Sequence, residues 1–190
     1  MQVQDRESFF IFRPGGTSDV GRLMQLFEEA RRWHREMRVA EWPLFEPELV
    51  LDDLNQERVF VLLKDIHIVG SVTVNETDPH VWHDQAPALY IHRLVVSRAL
   101  KGGNLGRLMV GRVDQIACEQ GKRYLRLDCW SSNERLKSYY ENIGFTQIGD
   151  MHVGDEPSLP AHYQNSTAAL FQRKCVLAPS APAHVFCRTA

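Results

Sequence analysis

Residues 88–130 read ALYIHRLVVSRALKGGNLGRLMVGRVDQIACEQGKRYLRLDCW, and this stretch decides the fold. Ala88 to Ser97 is rich in β-branched and aromatic side chains and reads as a strand. Gly102, Gly103, Asn104 and Gly106 then punctuate the chain, and Leu105, Leu108, Met109, Val113, Ile116 and Ala117 recur behind them at helical spacing. Gly121 ends that helix, and Tyr124 to Cys129 forms a second strand. Strand, glycine loop, helix and strand make a βαβ crossover, which joins parallel neighbours in a sheet. Ligands of such sheets bind beyond the carboxyl ends of the strands, so chemistry is expected around the loop from Lys101 to Arg107.

Outward from this unit, Ser131-x-x-Glu134 is a capping-box signature that opens a helix running to about Asn142, closed by Gly144. Two late strands follow, near Phe145 to His152 and Ala168 to Cys175. On the other side, residues 8–13 form a first strand ended by Pro14-Gly15-Gly16, and Ser18 and Asp19 open a long amphipathic helix carrying Val20, Leu23, Met24, Phe27 and Ala30. Pro47 starts a short helix to about Asn55, and Val59 to Leu63 and Ile66 to Val74 make an antiparallel hairpin. The order βααβββαβαββ predicts an α/β (α+β) domain with a mixed sheet of about seven strands, mostly antiparallel, and helices on both faces. Residues 1–177 are expected to form that one domain, with 178–190 an Ala/Pro-containing tail.

Composition narrows the function classes. The chain has 190 residues, 44% hydrophobic and 24% charged, enough for one sizeable core. A net charge of −2 gives no basic excess for a phosphate backbone, so no nucleic-acid partner is expected. No apolar run approaches membrane-spanning length and the start, MQVQDRES, lacks signal-peptide features, which points to a cytoplasmic protein with no membrane association. Cys118, Cys129, Cys175 and Cys187 fit no CxxC metal pattern and read as free thiols, so no metal is expected.

Between strand and helix, the glycines let several backbone N–H groups converge on an anion with the helix dipole behind them; a simple tight turn is the competing reading. The loop is neither a Walker P-loop, which needs Gly-Lys-Ser/Thr at its end, nor a Rossmann fingerprint, which belongs at the first strand. With the segment that follows, the pattern becomes specific. Leu94-Val95-Val96 ends the strand, the loop opens the helix, Leu125 to Trp130 is the next strand, and Asn133, Tyr140, Gly144 and Phe145 stand in an Asn-x6-Tyr-x3-Gly-Phe array. From about Tyr90 to Asp150 this order resembles the GNAT superfamily of acetyl-CoA-dependent N-acetyltransferases. The N-terminal stretch with Trp33 and Glu41-Trp42-Pro43 resembles small bacterial members without assigned substrates. One position departs: the loop's middle glycine is Asn104, a residue that tolerates positive φ.

The resemblance implies a set of roles. Acetyl-CoA would be held by Leu94, Val95 and Val96 through the backbone, by the loop residues Lys101, Gly102, Gly103, Asn104, Leu105, Gly106 and Arg107, and by Asn133, whose alternative is a helix cap. Tyr140 matches the tyrosine that protonates the departing thiolate, though Leu136, Tyr139, Tyr140 and Ile143 also share a core-facing spacing. His92 matches a histidine of the related arylalkylamine acetyltransferases that relays the amine proton; Glu76 is the competing base. Trp42, Phe45, Trp82, His83 and Trp130 are candidates to line the acceptor pocket, or to make a homodimer contact, and Tyr90, on the strand face of His92, is a candidate to line that pocket or hold the relay water. Arg93 and Arg126 read as solvated strand charges, and Cys129 as an ordinary strand residue, which favours direct transfer over a thiol intermediate. The acceptor is expected to be a small-molecule amine, with a protein or peptide amine as runner-up and a non-catalytic acyl-CoA-binding module as the alternative.

Overall fold

A computed structural model describes residues 9–84, 86–100, 102–153 and 166–175. In chain order the elements are β1 (Phe10–Pro14), α1 (Val20–Glu36), α2 (Pro47–Asn55), β2 (Val59–Lys64), β3 (His67–Asn75), β4 (Ala88–Val96), α3 (Leu105–Glu119), β5 (Tyr124–Trp130), α4 (Glu134–Asn142), β6 (Thr146–Val153) and β7 (Ser166–Lys174). They build one seven-stranded sheet in the order β1-β2-β3-β4-β5-β7-β6. Every neighbouring pair is antiparallel except β4 and β5, the pair that α3 joins as the crossover.

The sheet separates two apolar layers. On one face Leu105, Met109, Val110, Val113 and Ala117 of α3 pack with Leu89, Ile91, Leu125, Leu127 and Phe171, and Tyr140 and Phe145 continue that core. On the other, Leu23, Leu26, Phe27 and Ala30 form the buried stripe of α1 and meet Val50 and Leu54 of α2 over Val59, Val61 and Val95. Local chemistry explains the element boundaries. The Asp19 carboxylate accepts the Gly16 N–H at 2.9 Å before α1, Pro47 sits at the start of α2, and Asp65 turns the β2–β3 hairpin with φ 55°. α4 differs from expectation: Asn133, not Ser131, is its N-cap, accepting the Leu136 N–H at 3.1 Å, so the helix begins at Glu134. No helix among the described residues is long and apolar enough to cross a membrane. The C-terminal tail and Cys187 lie outside the described residues, while Cys118, Cys129 and Cys175 are free thiols.

Candidate active site

The parallel pairing of β4 with β5 is short. Ala88 to Ile91 pair with Tyr124 to Leu127, and there the ladder stops. Beyond it β4 stays with β3, where Thr73 faces His92 and Ser71 faces Val95, while Asp128, Cys129 and Trp130 pair with β7. One extra residue on β4 between those two β3 partners makes a bulge, and Arg93 takes φ 47° to accommodate it. The bulge turns β4 away from β5, so the carboxyl ends of the two central strands part. The polypeptide of Leu94 to Val96 therefore has no strand partner on its β5 side among the described residues.

Next to this parting lies the N-terminus of α3. Asn104 adopts the left-handed conformation (φ 52°, ψ 19°), Gly102 has φ 87°, and no side chain caps the helix. The first-turn N–H groups of Leu105, Gly106 and Arg107 have no carbonyl of the helix to bond, and the peptide dipoles add partial positive charge there. These donors suit an anionic group such as a pyrophosphate. The Tyr139 hydroxyl sits over the same turn, so close that a Cβ on Gly106 would lie 2.5 Å from it. Lys101 lies outside the described residues. Asn133 spends its side-chain oxygen on the α4 cap, which leaves the amide NH2 to donate.

The two adjacent tyrosines point to different surroundings. Tyr139 is half-buried by the α3 turn, whereas the Tyr140 ring is buried against Phe145 (6.0 Å) and Phe171 (5.7 Å). Burial, with Cys129 and Asp128 nearby, pushes the Tyr140 phenol well above its ordinary range, so it holds its proton at neutral pH. Burial likewise pushes the Cys129 thiol up to about 12, which keeps it a protonated core residue.

On the opposite face of the sheet, at the parting, lies a buried polar cluster. His92 and Asp128 are the first residues of β4 and β5 beyond the ladder, and Asp78 reaches them from the loop after β3. One ligand atom from each lies within 4.8 Å of the other two. His92 Nε2 and Asp78 Oδ2 stand 3.8 Å apart, both buried and neither with a hydrogen-bond partner. Burial lowers the imidazole to about 4, with Arg93 and Arg58 adding repulsion. Burial raises Asp78 to about 6 against the pull of His80 and the Val81 N–H, and raises Asp128 to about 7 with the help of Asp78. Sequence singled out His92 but neither carboxylate. Asp128 shares the β-strand alternation of Arg126, a usable signal; Asp78 sits in a loop without one.

Glu76, the other candidate base, is exposed and ion-paired to Lys122 at 2.8 Å. The aromatic candidates form two groups. Trp42 and Phe45 pack on Phe27 between α1 and α2, and Phe45 reaches the bulge through the Arg93 guanidinium, 5.7 Å from its ring. Trp82 and Tyr90 meet edge to face with ring centroids 5.8 Å apart around Arg126; His83 is exposed and Trp130 half-buried at the end of β5. Arg126 and Arg93 are not solvated charges. Arg126 is 3% exposed, bonding Asp84 at 2.8 Å and Gln172 at 2.7 Å with its guanidinium 4.4 Å from the Trp82 ring, because the loop after β3 folds over the sheet. Arg93 pairs with the buried Asp53 of α2, which also holds Arg58 at 2.7 Å.

Residues 26–145 match the sequence model of the Acetyltransferase (GNAT) family. The chain is 26% identical over 146 residues to the uncharacterized N-acetyltransferase YesJ of Bacillus subtilis (strain 168), covering 72% of this chain and 81% of that protein. Among solved structures, a GNAT-family acetyltransferase from Listeria monocytogenes superposes with TM-score 0.72 at 23% identity over 87% of this chain and 94% of its own. The putative acetyltransferase yncA of Salmonella typhimurium, solved with acetyl-CoA, superposes with TM-score 0.64 at 16% identity over 92% and 99%.

Proposed function

The chain belongs to the GNAT acetyltransferase family of acyl-CoA-dependent N-acyltransferases, and on that premise we propose that it moves an acetyl group from acetyl-CoA to the primary amine of a small molecule, directly and within a ternary complex. The observation that carries this reading is the parting of β4 from β5 beside the uncapped start of α3. An extended thioester arm fits along the free edge of Leu94 to Val96, and the anionic end of the same molecule fits the N–H groups of Leu105 to Arg107. Gly102 and Asn104 present those groups by taking positive φ. When bound, acetyl-CoA supplies an activated acyl carbon and a thiolate leaving group.

The remaining steps belong to side chains. Backbone N–H groups along the free edge of β4 polarise the thioester carbonyl, and the Asn133 amide adds a donor on the β5–α4 side. His92, neutral at physiological pH, accepts a proton from the amine side of the sheet. Tyr140 keeps its proton and offers it to the thiolate from the α3 side. The raised thiol of Cys129 speaks for direct transfer rather than an acyl-thiol intermediate.

Calorimetric titration with acetyl-CoA, followed by a thiol-release assay on a panel of small amines and peptides, tests this reading. Binding with release on free amines supports it, release on peptides alone moves the acceptor to polypeptide, and absence of binding removes the reading. Tyr140→Phe is expected to lower kcat about a hundredfold with the acetyl-CoA Kd held; an unchanged kcat removes Tyr140 from the donor role.

A further inference from the structure

Trp33 belongs to none of the apolar clusters, yet it is half-buried. Two guanidiniums lie over its ring, that of Arg98 at 4.2 Å and that of Arg135 at 5.8 Å from the centroid. They come from the two strands that part. Arg98 follows β4 by two residues, and Arg135 is the second residue of α4, which follows β5. Trp33 of α1 therefore bridges the two lips of the slot, beyond the carboxyl ends of its strands.

Both arginines are exposed, and neither has a carboxylate or a hydrogen-bond acceptor among the described residues. The carboxylates beside them are engaged elsewhere: Glu134 by Lys137 at 2.9 Å, and Glu29, which accepts the hydroxyl of Ser97 at 3.1 Å, by Arg22 at 3.0 Å. Two cations gathered on one ring repel each other, a cost that an anion between them relieves. A guanidinium resting on an indole also keeps its in-plane N–H donors, the fork that pairs with a carboxylate.

Room for the rest of a ligand lies alongside. A cavity of about 540 Å³ opens against α1, with Met24, Phe27, Leu44 and Phe45 as its apolar wall. Glu29 lines it too and stands one helical turn before Trp33, so the cavity runs up to Ser97 and Arg98. Its carboxylates are neutralised within the wall, Glu28 by Arg31 at 2.9 Å and Glu29 by Arg22, which leaves Arg32 as a lining charge with no partner among the described residues. A ligand entering here meets no free carboxylate and three free guanidiniums.

We infer that the acceptor is an amino acid with an apolar side chain: the side chain lies in the cavity along α1, the carboxylate meets Arg98 and Arg135 on Trp33, and the amine is thereby turned toward the slot. This inference rests on the reading of the β4–β5 parting as the transfer site. The phosphates of acetyl-CoA are a second source of negative charge, but the N–H groups at the start of α3 already face its anionic end, and Trp33 comes from α1, which packs on the other face of the sheet.

The test pairs phenylalanine, leucine and methionine, each with the amine left by its decarboxylation, in the thiol-release assay, for the parent, Arg98→Gln and Arg135→Gln. Calorimetry of the CoA-bound protein against N-acetylphenylalanine and N-acetylphenethylamine reads carboxylate recognition apart from turnover. Expected is a kcat/KM for the amino acid at least tenfold above that of its partner amine, a ratio that falls toward one in each glutamine variant and partly returns with Arg98→Lys, and an acetyl-CoA Kd that holds. N-acetylphenylalanine should bind the more tightly of the two, and added salt should weaken it. Equal or better turnover of the decarboxylated amines, no turnover of any of the three amino acids, or variants that lower Tm and leave the ratio intact each overturns the inference while acetyl-CoA binding still stands. A tenfold weaker acetyl-CoA Kd in either variant overturns it in favour of a cofactor phosphate. Failure of the parent to bind acetyl-CoA instead removes the reading beneath it.

Discussion

At Gly106 the absence of one methyl group matters because of a single oxygen. A Cβ there would lie 2.5 Å from the Tyr139 hydroxyl but 3.6 Å from its ring carbon, an ordinary contact. Gly106→Ala is therefore expected to displace Tyr139 from the first turn of α3, where the anion-binding N–H groups lie, and to weaken acetyl-CoA binding about tenfold by calorimetry. Adding Tyr139→Phe removes the obstructing oxygen and should restore most of that loss. A double-mutant cycle checks it: a coupling of about 1 kcal/mol or more is expected, and independent effects would place the loss in the helix rather than in the tyrosine. Asn104 belongs to the same scale, since its left-handed conformation keeps the loop geometry that glycine would otherwise supply.

Among the elements, α2 acts as a brace for the β4 bulge. Asp53 is 4% exposed and holds two guanidiniums, Arg58 at 2.7 Å and Arg93, the residue that takes positive φ at the bulge. Asp53→Asn removes the charge both depend on. A buried pair broken this way costs several kcal/mol, but the arginines are partly solvated, so about 2 kcal/mol and a fall in Tm of roughly 4–8 °C are expected. Because the bulge carries His92, KM for the amine should rise while the acetyl-CoA Kd stays put. A change confined to the Kd would mean that α2 braces the other face.

The same scale shows what the sequence makes legible. Pro47 and Asn55 bound α2 in both the reading and the structure, because proline at N1 and an apolar stripe act locally. The crossover was equally plain, since periodicity changes from two to 3.6 and back within residues 88–130. Ser131 and Asn133 are both good caps two residues apart, and only the path of the chain leaving β5 selects Asn133. Arg126 departs from its expected place in solvent because alternation alone marks a polar strand residue as solvent-facing, and nothing local reveals that the loop after β3 covers it with Trp82 and Asp84. Asp78 is the extreme case: its meaning comes entirely from residues 14 and 50 positions further on, brought to it by the sheet.

Across the whole molecule, the sheet divides the labour. α3, α4 and the glycine loop lie with one core and α1 and α2 with the other, Val81 and Trp82 of the loop bearing Asp78 pack with Ala88 and Tyr90 in a third cluster, and the described elements meet through the slot where β4 and β5 part. Gly106 and Asp53 flank that slot from opposite faces and share no partner. Gly106→Ala and Asp53→Asn should therefore add in both unfolding free energy and log kcat/KM, to within about 0.5 kcal/mol. Tyr140→Phe and Asp128→Asn should not add: Tyr140 approaches the slot from the α3 side, Asp128 opens onto the other, and the Asp128 charge helps to raise the Tyr140 phenol. If proton acceptance and proton donation act in one event through the slot, the double variant falls no further than the worse single variant. Additivity at the slot would mean instead that the two faces complete their proton transfers in separate steps, and coupling between Gly106 and Asp53 would mean that the sheet transmits strain between them.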